Sequence, residues 1–183
     1  MLTERLPIVA LMNLAFFGSI LITAFLTQSV APPSEFWEPP NFFPLPLSNV
    51  PLLVVTIFLF NLVVGAFVLL TLMGMVLFVI PAGVLIWRGW LWSSLISQLS
   101  TSSFLLVLPT LVLEGEGYVL ASVAGTVLGL SWLKPSLIFG GGRLSRVAAL
   151  MRALKEMAHL YVAVAIILLI AALVEALTLA FLA

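Results

Sequence analysis

The chain has 183 residues, of which 63% are hydrophobic and only 8% charged, with a mean hydropathy of +1.32 and zero formal net charge. Soluble domains carry about 25% charged residues, so this composition excludes a soluble globular domain and points to an integral membrane protein. With no cysteine and a single histidine, His159, it also excludes a disulfide framework, a thiol nucleophile and a Cys or multi-His metal site within one chain.

A spanning helix needs about 20 apolar residues at 1.5 Å each. The first such stretch is 8–27, containing Asn13 and Gly18. Its apolar run exceeds the roughly 7–15 residues of a signal-peptide core and no small-x-small cleavage pattern follows, so it reads as a retained span. Residues 28–49 hold six prolines (Pro32, Pro33, Pro39, Pro40, Pro44 and Pro46) and cannot form a helix. With Phe36, Trp37, Phe42 and Phe43 they read as an interfacial loop on the outer surface, a substrate lid being the alternative.

The second span is 50–72, with Asn61 in its middle, and a tight break near Thr71 to Gly74 leads to a third, 73–99. Pro81-Ala-Gly83 predicts a kink in it. Arg88 follows, flanked by Trp87, Trp90 and Trp92. After a serine-rich turn at 100–103 comes the fourth span, 104–133, the most unusual part of the chain. It carries Glu114 and Glu116, each followed by a glycine. An ionisable group in hydrocarbon costs at least about 2.5–3.5 kcal/mol, and paired glycines loosen a helix, so the span is expected to break near Glu114–Gly117. Beyond it, Gly117, Ala121, Gly125 and Gly129 recur every four residues. That small-residue seam admits close approach of another helix, from this chain by preference or from a second copy.

Lys134-Pro135 closes the span, and Gly140-Gly-Gly142 makes a flexible joint. The joint lacks the preceding strand and following Lys-Ser/Thr of a phosphate loop. On a 100° wheel, residues 143–157 place Val147, Leu150, Met151, Leu154 and Ala158 on one face and Arg152, Lys155, Glu156 and His159 on the other. This predicts a separate amphipathic helix on the membrane surface, with Arg143, Arg146, Arg152 and Lys155 as its basic residues. The fifth span, 158–182, contains Glu175. Five of the seven Lys and Arg residues fall within 134–155 and Arg5 lies near the N-terminus. The positive-inside rule places both in the cytoplasm, four crossings apart, and the C-terminus outside.

With that orientation, Asn61, Arg88, Glu114, Glu116 and Glu175 fall in one layer roughly 10–18 Å below the outer surface. One arginine against three glutamates leaves a charge of −2 if all are ionised, so at least one carboxylate is expected to hold a proton. Two readings stand. In one, Arg88 pairs with Glu114 and staples the third and fourth spans. In the other, the carboxylates form a cation, proton or amine site. Two Glu at i and i+2 do not face each other on a regular helix, which argues against a carboxylate hydrolase.

Pro109-Thr-Leu-Val-Leu-Glu114, the small residues Ala124-Gly125 to Gly129, and Leu169-Ile-Ala-Ala-Leu-Val-Glu175-Ala resemble the motifs of the stage II sporulation protein M family. Asn61 and the Arg88-Gly89 pair sit in comparable order. The chain departs from the family where its His and Gly are Thr110 and Leu111, and where the Asn of an Asn-Gly pair is Arg88. The resemblance covers most of the chain past residue 50. It implies a helical membrane protein without established catalysis; the namesake acts with peptidoglycan-remodelling partners during engulfment, a role not carried over to this chain.

The sequence is thus read as an all-α membrane protein of five spans with no catalytic constellation, metal or cofactor. The preferred function is a scaffold or partner-binding subunit of a membrane complex. The alternative is a small transporter or channel using the intramembrane carboxylates. The expected partners are the lipid bilayer and other membrane subunits or a second copy, not nucleic acid.

Overall fold

A computed structural model describes residues 2–27, 49–140 and 144–182. The Pro-rich stretch expected as an outer loop and Arg143 lie outside the described residues. Within them the chain is helical, with no strand. After a 3₁₀ turn at Leu2–Arg5 come α1 (6–27), α2 (Val50–Val76), α3 (Ile80–Ile96), α4 (Thr101–Leu133), the short α5 (Pro135–Phe139) and α6 (Arg146–Leu182). Helices α1, α2, α4 and α6 are long and apolar enough to cross a membrane. With 17 residues, α3 is about 25 Å long, a little under the roughly 30 Å of a hydrocarbon core.

Four boundaries differ from the sequence reading, each for a local reason. The second helix continues past residue 72 to Val76, and the chain breaks at Leu77, which is extended at φ −141° and ψ 107°. Pro81 then sits in the first turn of α3, where its missing N–H costs nothing, so it opens a helix instead of kinking one. The carbonyls exposed at the break find donors on α4. Thr126 Oγ1 donates to Phe78 O at 3.1 Å and Trp132 Nε1 to Met75 O at 2.7 Å.

The expected break at Glu114–Gly117 does not occur; α4 runs unbroken from its Ser100 cap to Leu133, with Pro109 inside it. The glycines there serve packing, since a Cβ on Gly115 would strike the Phe16 and Phe17 rings and one on Gly117 would meet Leu168. Nor is there a separate surface helix at 143–157. A single helix, α6, carries straight through, because nothing between Arg146 and Leu182 is Pro or Gly. Its inward face is Ala149, Ala153, Glu156 and Leu160, continued by Val164 and Leu168, while Val147 and Met151 point outward.

The helix pitch also departs from 3.6. Residues Leu14–Gly18 and Phe60–Leu72 are hydrogen-bonded i→i+5, a π geometry that is mostly found as single turns. In α2 the buried positions accordingly recur every four to five residues: Asn61, then Gly65 and Ala66, then Leu70 and Thr71.

Helix α4 is the hub. From Gly117 to Gly129 every residue except Leu120 is buried, and 44% of its apolar span is buried against 28% for α2 and α6 and 17% for α1. Its most extensive neighbour is α6, followed by α2, with α1 and α3 also packed on it. The small-residue seam meets α2 of the same chain. A Cβ on Gly125 would collide with the Leu70 carbonyl and one on Gly129 with that of Gly74. Thr71 Oγ1 donates to Ala121 O at 3.1 Å across this seam and receives the Tyr161 hydroxyl of α6 at 2.6 Å. Ala121 and Gly125 therefore do for α2 what Gly117 does for α6.

Candidate functional site

The polar residues of α2, α3 and α4 converge at one level. Arg88 is the ninth of the 17 residues of α3, at its midpoint. Its Nη2 donates to Glu114 Oε1, and the two form an ion pair whose side chains are 19% and 4% exposed. The guanidinium lies over the Tyr118 ring, 4.1 Å from its centroid. Tyr118 follows Glu114 by four residues, so the two share a face of α4 and hold the same arginine, one by charge and one by its π face. The fully buried Tyr118 hydroxyl donates in turn to Asn61 Oδ1 on α2 at 2.9 Å.

Space for that ring comes from Gly65, one turn beyond Asn61, where a Cβ would approach the Tyr118 Cε1 and hydroxyl to 2.8 Å. On the other side of α3, Gly89 packs against Phe16 and Ser19 of α1, which fixes the rotation that aims Arg88 at α4. Glu175, on α6, lies within electrostatic range of both Arg88 and Glu114, is half-buried, and has no hydrogen bond or ion pair among the described residues.

Four of the five residues expected in the layer, Asn61, Arg88, Glu114 and Glu175, thus face a common centre. Glu116 does not. At 100° per residue it sits about 200° round α4 from Glu114, half-buried and with no ion pair among the described residues. Sequence reasoning missed Tyr118, although its spacing from Glu114 was a usable signal. Three buried hydroxyls, Ser93, Thr110 and Ser122, have no hydrogen-bond partner among the described residues, and Thr110 lies one turn from Glu114 on the same face. Among the described residues no three His, Asp or Glu side chains are grouped so as to hold a metal ion.

A second polar cluster ties the opposite end. Arg5, only 5% exposed, donates to Glu156 through Nε at 3.3 Å and Nη2 at 3.0 Å, and through Nη1 to Ile138 O at 2.6 Å. Arg152 Nε lies 3.6 Å from Glu156 Oε1, and both guanidiniums stack on Phe139, at 5.3 and 4.8 Å from its centroid. Arg152 therefore belongs to a cluster, while Arg146 and Lys155 are exposed. The N-terminal segment, α5 and the start of α6 lie together there, joined through Arg5, Arg152, Glu156 and Phe139.

No protein-family model, curated protein or solved structure matches this chain.

Proposed function

We propose that the protein is a non-catalytic, five-span subunit of a membrane complex, a scaffold or partner-binding component, with its basic end in the cytoplasm. The observation that carries this reading is the closure of the polar layer. Arg88, the cation at the midpoint of α3, is engaged by Glu114 and Tyr118, and Tyr118 by Asn61, so these polar groups bond to one another across three helices. Such a network fixes register and rotation between helices, a role for which a buried polar group is well suited in a bilayer. The small-residue seam supports the same reading by locking α2 to α4. The resemblance to the stage II sporulation protein M family is compatible with it, that family being multi-pass and without established catalysis.

A tagged chain extracted from its own membrane in mild detergent is expected to migrate in a complex larger than one 19.8 kDa protomer. Migration as a lone monomer would refute the reading. One observation favours a second reading, a cation or proton site: Glu175 lies near the pair without a hydrogen bond among the described residues. Liposomes containing the purified protein separate the two. The scaffold reading expects no proton, sodium, potassium or alkylamine flux above empty liposomes, and flux that Glu175→Gln abolishes would establish the second.

A further inference from the structure

Glu116 lies one residue from the midpoint of α4, at the level where an unmatched carboxylate is least tolerated. Among the described residues no cation is paired with it. Of seven Lys and Arg residues, Arg88 faces Glu114 on the other side of α4, and Arg5 and Arg152 are held by Glu156. Lys134 follows the last residue of α4, about 27 Å along the helix from Glu116. Lys155 is about 20 Å down α6 from Leu168, the residue against Gly117, and Arg146 lies further still.

The neighbouring residues show where Glu116 points. Gly115 packs on Phe16 and Phe17 of α1, and Gly117 on Leu168 and Ile167 of α6. Glu116 therefore opens between these two helices, which both pack on α4 but not extensively on each other. On the same face of α4, one turn apart, lie Val112, Pro109 and Leu105, all exposed. The result is an apolar stripe ending in a carboxylate at mid-span, flanked by α1 and α6.

We propose that this stripe seats a transmembrane helix of a partner protein that carries a Lys or Arg to the level of Glu116. The inference rests on the partner-binding reading and names the partner's chemistry. A second copy of this chain is a poor occupant, because its one mid-span cation is already engaged by Glu114. A basic helix would cover the apolar stripe and neutralise the carboxylate in one contact.

The absence of cysteine allows single-cysteine labelling without background. The probe is a synthetic Leu/Ala transmembrane peptide with one central Lys, compared with the same peptide carrying central Leu or central Asp, in phosphatidylcholine vesicles. Energy transfer to a fluorophore on Val112→Cys is expected to show the Lys peptide binding about tenfold or more tightly than the Leu peptide, and the Asp peptide no better than Leu. Glu116→Gln should bring the Lys peptide down to the Leu value. Equal binding of Lys and Leu peptides, or a Lys preference that survives Glu116→Gln, overturns the proposal.

A second measurement stands whether or not Glu116→Gln folds. A cross-linker on the Lys peptide should capture Val112→Cys and not Val63→Cys, which is exposed on α2; the reverse pattern overturns the proposal. Failure here leaves the partner-binding reading in place, since that reading is tested separately, by migration in mild detergent and by flux in liposomes.

Discussion

Replacing Arg88 by Met removes the charge while keeping most of the stem. Glu114, 4% exposed, is then left in the bundle with its counter-charge gone. Removing one partner of a buried pair costs about 3–5 kcal/mol, because the remaining charge is stranded. The guanidinium over Tyr118 contributes on the order of 2 kcal/mol when desolvated, but it belongs to the same contact and is not added in full. Arg88→Met is therefore expected to lose about 3–5 kcal/mol, and Glu114→Leu a similar amount. The double variant Arg88→Met/Glu114→Leu removes both charges, and replacing a whole buried pair by apolar groups is often close to neutral. It should lose far less than the sum of the singles. The assay is reversible unfolding of the purified protein by sodium dodecyl sulfate, followed through its five tryptophans. Single variants as stable as the wild type, or a double variant whose loss equals the sum, would refute the staple.

Other contacts give sharper contrasts in the same assay. Gly125→Ala would drive a Cβ into the Leu70 carbonyl and Thr71 backbone, so a loss of about 1–3 kcal/mol is expected. Gly83→Ala meets nothing within 4 Å in α3 and should gain up to about 1 kcal/mol; equal effects of the two would deny that the seam is tight. Tyr118→Phe keeps the ring under Arg88 but orphans Asn61, for an expected loss of about 1–3 kcal/mol, and no loss would remove the Asn61 bond from the account. Arg5→Ala should cost about 3 kcal/mol, the low end for an orphaned buried charge, because Arg152 stays 3.6 Å from Glu156. It should also speed amide exchange in residues 2–13; unchanged exchange there would mean that Glu156 does not hold the N-terminus.

The all-helical membrane character is plain in the sequence because apolar runs of about 20 residues have few other uses. Asn61, Arg88, Glu114 and Glu175 stand out for the converse reason, being polar side chains where hydrocarbon is the default. Tyr118 hid because an aromatic inside an apolar run looks like core, and only its spacing from Glu114 marks it. The i→i+5 pitch of α2 was invisible to a reading at 3.6 residues per turn, and with it the match between Gly65 and the tyrosine ring. The wheel at 143–157 assigned the buried face to bulky Val147 and Met151, whereas the close contact selects small Ala149 and Ala153 and a Glu156 already matched by Arg5. That last pair joins residues 151 positions apart, which no local pattern encodes. Paired glycines likewise read as a break in α4, although in a bundle they equally mark where neighbours come close.

Arg88 turns inward, to Glu114 and Tyr118, and not outward to the lipid. Its half-buried position near a membrane makes snorkelling to headgroups the physical competitor. Solid-state NMR on the protein in phospholipid bilayers distinguishes them, with ¹⁵N-labelled arginine and ¹³C-labelled glutamate. Dipolar dephasing is expected between the Arg88 guanidinium and the Glu114 carboxyl, lost in Glu114→Leu, and none between Arg88 and lipid ³¹P. Contact with phosphate, and none with Glu114, would contradict it.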